Sequence, residues 1–127
     1  VKLTQARADL AATLVRELPP AVNVYDHLPD QLAVPAVLIG WGSPWFEVET
    51  VCGDLVVSAE LVVVAGRIDQ RAQLERLEEI AAAASIAFRT DPAWTIPTAP
   101  AAPYALDIAG VTYLAVTLST SAEVEAG

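Results

Sequence analysis

The sequence predicts an α+β fold: a mixed, mainly antiparallel sheet with two helices packed on it. Three observations carry that reading. Two segments, Leu3 to Leu18 and Asp69 to Phe88, repeat apolar residues at helical spacing. Leu55 to Ala65 has the two-residue period of a strand. Tyr104 to Ile108 and Val111 to Ser119 flank Ala109-Gly110 and read as a hairpin.

In the first helix Thr4 is the expected N-cap, and Leu3, Leu10, Leu14 and Leu18 form a stripe widened by Ala11 and Val15. Pro19-Pro20 ends it, because proline cannot continue a helix and restricts its predecessor. Val22 to Tyr25 reads as a short strand. Asp26 to Pro35, with His27, Pro29, Asp30 and Pro35, reads as loop. Ala36 to Ile39 is a second strand, which Gly40-Trp41-Gly42-Ser43-Pro44-Trp45 should end in a loop tip. From Phe46 to Cys52 acidic and apolar residues alternate, with Glu47 and Glu49 on one side and Phe46, Val48 and Thr50 on the other.

Gly53-Asp54 marks a turn into the clearest strand. There Leu55, Val57, Ala59, Leu61 and Val63 make one wholly apolar face. The other face, Val56, Ser58, Glu60, Val62 and Val64, is nearly as apolar, so cover on both sides is expected. Glu60 is the exception, and a carboxylate there should meet solvent, a lumen or a basic partner. Asp69 is the expected cap of the second helix, whose stripe is Leu74, Leu77, Ile80, Ala81, Ala84 and Phe88. Asp91-Pro92 stops it. Trp94 to Ile96 reads as a short strand, and Pro97 to Pro103 as an extended, proline-stiffened loop. No internal repeat or linker divides the chain, so residues 1–127 read as one domain, with 1–2 and 121–127 frayed.

At 127 residues the chain is long enough to bury a core without staples. Its apolar share of 54% and mean hydropathy of +0.45 are high, and point to surface buried between copies. The longest apolar runs fall far short of the roughly 20 residues of a membrane span. The first residues lack the apolar run of a signal peptide, so a cytoplasmic site of synthesis is expected. A net charge of −9 would repel phosphate, which argues against tight nucleic-acid binding. The single cysteine, Cys52, excludes an intramolecular disulfide and a cysteine-based zinc site.

The chemical motifs are few. Gly40-Trp41-Gly42 lacks the third glycine of a dinucleotide fingerprint, and Pro44 follows where a helix should open. His27 is the sole histidine, with no Gly-x-Ser-x-Gly elbow to recruit it, and reads as a surface loop residue. Cys52 reads as a small buried hydrophobe. The acids Glu47, Glu49, Asp54, Glu60 and Asp69 match no EF-hand or two-metal pattern, and read as a solvated face or as part of an acidic ring formed by several copies. No catalytic residue, cofactor or metal is expected. Trp41, Trp45 and Phe46 crowd one segment and fit either a core or an interface.

With these elements in place the chain resembles the tail-terminator proteins of long-tailed (siphovirus-type) bacteriophages. The resemblance rests on the leading helix closed by Pro19-Pro20, on Val34-Pro35-Ala36-Val37-Leu38-Ile39 after a loop, on the long strand running into the second helix, and on the closing Asp107-Ile108-Ala109-Gly110-Val111-Thr112-Tyr113. It implies a hexameric ring in the virion neck. That ring caps the tail tube, joins it to the head-side connector, and lets DNA pass through its lumen without specific binding. The residues expected at subunit, tube or connector contacts are Trp41, Trp45, Phe46, Glu47, Glu49, Glu60, Arg67 and Pro100. Two alternatives stand beside it: another neck, connector or tail-tube subunit, and a small cytoplasmic ligand-binding domain with a pocket lined by Trp41, Trp45 and Tyr104.

Overall fold

A computed structural model describes residues 3–26, 32–48, 55–67, 72–89, 94–95, 97–99 and 101–124, without the side chains of residues 3, 4, 41, 43–45, 47, 48 and 124. The elements run α1 (Leu3–Glu17), β1 (Asn23–Tyr25), β2 (Ala36–Val48), β3 (Leu55–Arg67), α2 (Gln73–Ile86), β4 (Tyr104–Ile108) and β5 (Val111–Val124). Five strands form one sheet in the order β1-β2-β3-β5-β4. The β1–β2 pair is parallel and the other three are antiparallel. The fold is α+β, as the sequence pattern predicts.

Both helices pack on the same face of the sheet. Leu10, Leu14 and Leu18 of the α1 stripe join Val37, Ile39, Val57, Leu61, Val63, Leu77, Ile80, Phe88 and Trp94 in the main core. Thr4 stands inside the first turn of α1 rather than ahead of it. Thr13, not Val15, widens the stripe: Thr13 is buried, while Val15 is 65% exposed. Val15 lies about 100° round the helix from Leu14. Thr13 can turn inward because its hydroxyl donates to the Asp9 carbonyl at 3.1 Å.

The second helix starts later than its sequence suggests. Its N-cap is Ala72, with no side-chain hydrogen bond, and Asp69 lies outside the described residues. Gln73 is buried and Leu74 is 48% exposed, reversing the expected first turn. The cause is steric. A Cβ on Gly66 would stand 2.5 Å from Gln73 Oε1, so the missing side chain at Gly66 makes the room that Gln73 fills.

Two strands are longer than predicted. β2 does not end at Ile39; Gly40 to Trp45 continues it through an irregularity, and the loop tip expected there is a bulge. The register jumps from Trp41↔Ala59 to Phe46↔Val57, so four residues of β2 face Ser58 alone. β5 runs to Val124, and Ser121 to Val124 pair with Leu55 to Ser58 instead of fraying. The predicted strand at Trp94 is reduced to isolated bridges, Trp94↔Ala122 and Thr98↔Ser119, which still hold the segment against β5. Ala109 (φ 50°) and Gly110 (φ 83°) make the β4–β5 turn with two left-handed residues, the conformation that matches strand twist in a two-residue hairpin.

Cover on both faces of β3 holds only in part. Leu55, Val57, Ala59, Leu61 and Val63 are buried under the helices. On the opposite face Val56, Ser58, Glu60 and Val62 are half-buried. That face closes only at Val64, which packs with Tyr113 and Ala115 beneath Leu32, Val34, Leu106 and Ile108.

Candidate functional site: a hydroxyl-lined groove around Glu60

The open face of the sheet carries a groove of about 480 Å³ lined by Gly42, Ser58, Glu60, Thr95, Thr98 and Ser119 to Ser121, with Ala59 beneath. Its floor follows from strand register, since residues directly opposed in an antiparallel ladder share a face. Glu60 stands opposite Gly40 on β2 and Ser119 on β5, and Ser58 stands opposite Ser121. The two positions directly opposite the carboxylate are therefore a glycine and a serine. A Cβ on Gly40 would touch nothing within 4 Å, whereas one on Gly42 would come within 2.9 Å of Ser58 Cβ. The bulge in β2 thus presses its backbone onto β3 at Gly42 and leaves space at Gly40.

The wall is held by hydrogen bonds. Thr95 N–H donates to the Ser121 carbonyl at 2.8 Å, and Thr98 and Ser119 exchange backbone bonds of 3.0 and 2.7 Å. Thr120 Oγ1 donates to the Thr95 carbonyl at 2.6 Å, and the Ser121 N–H donates to Thr95 Oγ1 at 3.0 Å. Glu60 itself is half-buried, and among the described residues no ion pair engages it. Among the described residues the groove therefore offers one carboxylate and a row of hydroxyl oxygens, an acceptor-rich lining with a single negative charge.

Of the expected contact residues whose side chains are described, Glu60 lines this groove and Phe46 and Arg67 do not. Phe46 is on β2, opposite Val57 and 42% exposed. Trp41 and Glu47 pair through their backbones with Ala59 and Val56, and Trp45 lies in the bulge. Arg67 ends β3, exposed, opposite Tyr113. Glu49 and Pro100 lie outside the described residues, as do His27 and Cys52. Tyr104 does not reach the groove; its hydroxyl lies 2.7 Å from Thr117 Oγ1 on the other half of the open face. The side chains of Trp41 and Trp45, expected to line a pocket with Tyr104, lie outside the described ones. The run Ser119-Thr120-Ser121 is the sequence signal of this hydroxyl lining, but Ser121 by its composition reads as part of a frayed tail.

No group of three His, Cys, Asp or Glu among the described residues is placed to hold a metal ion. No described helix is long and apolar enough to cross a membrane. Comparison with known protein families finds no model that matches the chain, and comparison with curated proteins finds no match either.

Proposed function

We propose that this chain is a structural virion protein: the tail terminator of a long-tailed bacteriophage, acting as a hexameric ring that caps the tail tube and joins it to the head-side connector. The observation that carries the reading is the unequal cover of the sheet. Helices seal one face. The other keeps Val56, Glu60 and Val62 half-buried, and the outer strand β4 holds Tyr104 there at 37% exposure. A chain that is 54% apolar and leaves such surface open has the character of a subunit.

The α+β architecture is the one the resemblance implies, and the count of six comes from the resemblance. Two helices of 15 and 14 residues beside the sheet favour a terminator over a tail-tube subunit, which would be richer in β structure. Six copies at −9 each would surround the passage with negative charge and keep DNA from adhering. The polar groove favours a second reading, a small ligand-binding domain, which would work as a monomer or dimer.

Light scattering separates the two. A ring of six 13.4 kDa chains has a mass of about 80 kDa, and it is expected either in free protein or on purified tail tubes. Electron micrographs should then show a ring at the tube end. A monomer both in isolation and with tubes refutes the ring.

A further inference from the structure

We infer that the groove around Glu60 is a seat for a guanidinium group, as carried by an arginine side chain. Three features point to that ligand class. Among the described residues the lining contains one ionised group, a carboxylate, which repels an anion and attracts a cation. Most of the remaining lining is hydroxyl: Ser58, Thr98, Ser119 and Ser121 supply oxygens that accept hydrogen bonds beside the carboxylate, while Thr95 Oγ1 already accepts from the Ser121 N–H. The immediate neighbours of Glu60 are Gly40 and Ser119, too small to crowd a planar group laid across the strands.

A guanidinium presents five donors in a flat fork and grips a carboxylate with two of them, leaving others for flanking hydroxyls. An ammonium has three donors and holds its water more strongly, so it would use less of this lining. The hydroxyl wall is fixed before any ligand arrives, because the bonds between the Thr95–Thr98 segment and β5 hold it. Little ordering then opposes binding. A neutral groove of serines alone would not discriminate, and a bare surface carboxylate would not select arginine over lysine. The combination does both.

The test uses the whole chain with N-acetyl-arginine amide as the probe, followed through the backbone amide resonances of Gly40, Ser58, Ser119 and Ser121. Saturating shifts at these positions are expected. N-acetyl-citrulline amide, which keeps the shape without the charge, should bind about tenfold more weakly or worse, and N-acetyl-lysine amide should bind detectably more weakly than the arginine probe. Glu60→Gln should lose about tenfold or more. Ser119→Leu keeps the carboxylate but fills the cradle, and should lose as much; Ser121→Ala, a milder change, should lose less while keeping the fold. Wild-type binding by Glu60→Gln, or by Ser119→Leu, overturns the seat, and so does equal binding of the arginine and lysine probes. A second arm finds the carrier. If Glu60→Gln also weakens self-association of the chain, the arginine belongs to a neighbouring copy; if self-association is unchanged while the probe still selects the wild type, it belongs to another protein.

Discussion

Phe46→Ser separates what the fold needs from what assembly needs. Phe46 is 42% exposed on β2, opposite the buried Val57. A phenylalanine carries roughly 200 Å² of surface, so about 80 Å² remains in water. Covering that area at about 25 cal/mol per Å² contributes about 2 kcal/mol per copy, a factor of roughly thirty in a subunit dissociation constant. The part already covered, a little over half, contributes about 3 kcal/mol to the monomer by the same conversion. The substitution should therefore lower the melting temperature by circular dichroism and also shift the sedimentation profile toward free subunits. The two effects are independent readouts. A variant that melts earlier but, at a temperature where it is folded, assembles at wild-type concentrations would refute the reasoning, because Phe46 would then belong to the fold alone.

Gly66→Ala should cost no more than about 1 kcal/mol in urea denaturation, since its Cβ would meet only the amide end of the flexible Gln73 side chain, and Gln73→Ala in the same chain should recover the loss in a double-mutant cycle. Ala109→Asn should raise stability by about 0.5–1 kcal/mol, because Ala109 holds φ 50° in the hairpin turn and asparagine tolerates that conformation better. Glu60→Ala should leave the monomer within about 0.5 kcal/mol of wild type by the same assay, since the carboxylate is half-buried and in no ion pair among the described residues. A larger loss would mean that Glu60 serves the fold rather than a partner.

What the sequence made legible is what simple periodicity encodes. Leu10, Leu14 and Leu18 at four-residue spacing, and Leu55, Val57, Ala59, Leu61 and Val63 at two, fell where pattern placed them. What escaped it depends on contacts between segments distant in the chain. Gln73 turns inward because Gly66, on another element, leaves it room. Ser121 to Val124 become a strand because β3 extends far enough to pair them; their own composition reads as a tail. Gly40 to Trp45 carries every local signal of a turn, yet Ala59 and Val57 hold the backbone on either side of it in one ladder. At the groove, Glu60 stood out as a lone charge in an apolar strand. Apart from Ser58, its hydroxyl neighbours come from β5 and from the Thr95–Thr98 segment, which no pattern within β3 could indicate.

The bulge in β2 bears on how copies of this chain would meet. β1 pairs only with Ala36 to Leu38, so the outer edge of β2 from Ile39 onward has no partner strand among the described residues. An open edge of that length invites another strand to add to it. The sequence there opposes strand addition: Gly40 and Gly42 weaken a strand, Pro44 lacks an N–H, and the four-against-one register breaks the ladder. The same residues open the space beside Glu60 and press Gly42 onto Ser58. One local irregularity therefore discourages pairing at the edge and shapes a groove on the face. Association is steered away from backbone pairing, which is indifferent to sequence, toward side-chain contacts across the open face, where Glu60 and Tyr104 can select the partner and its orientation.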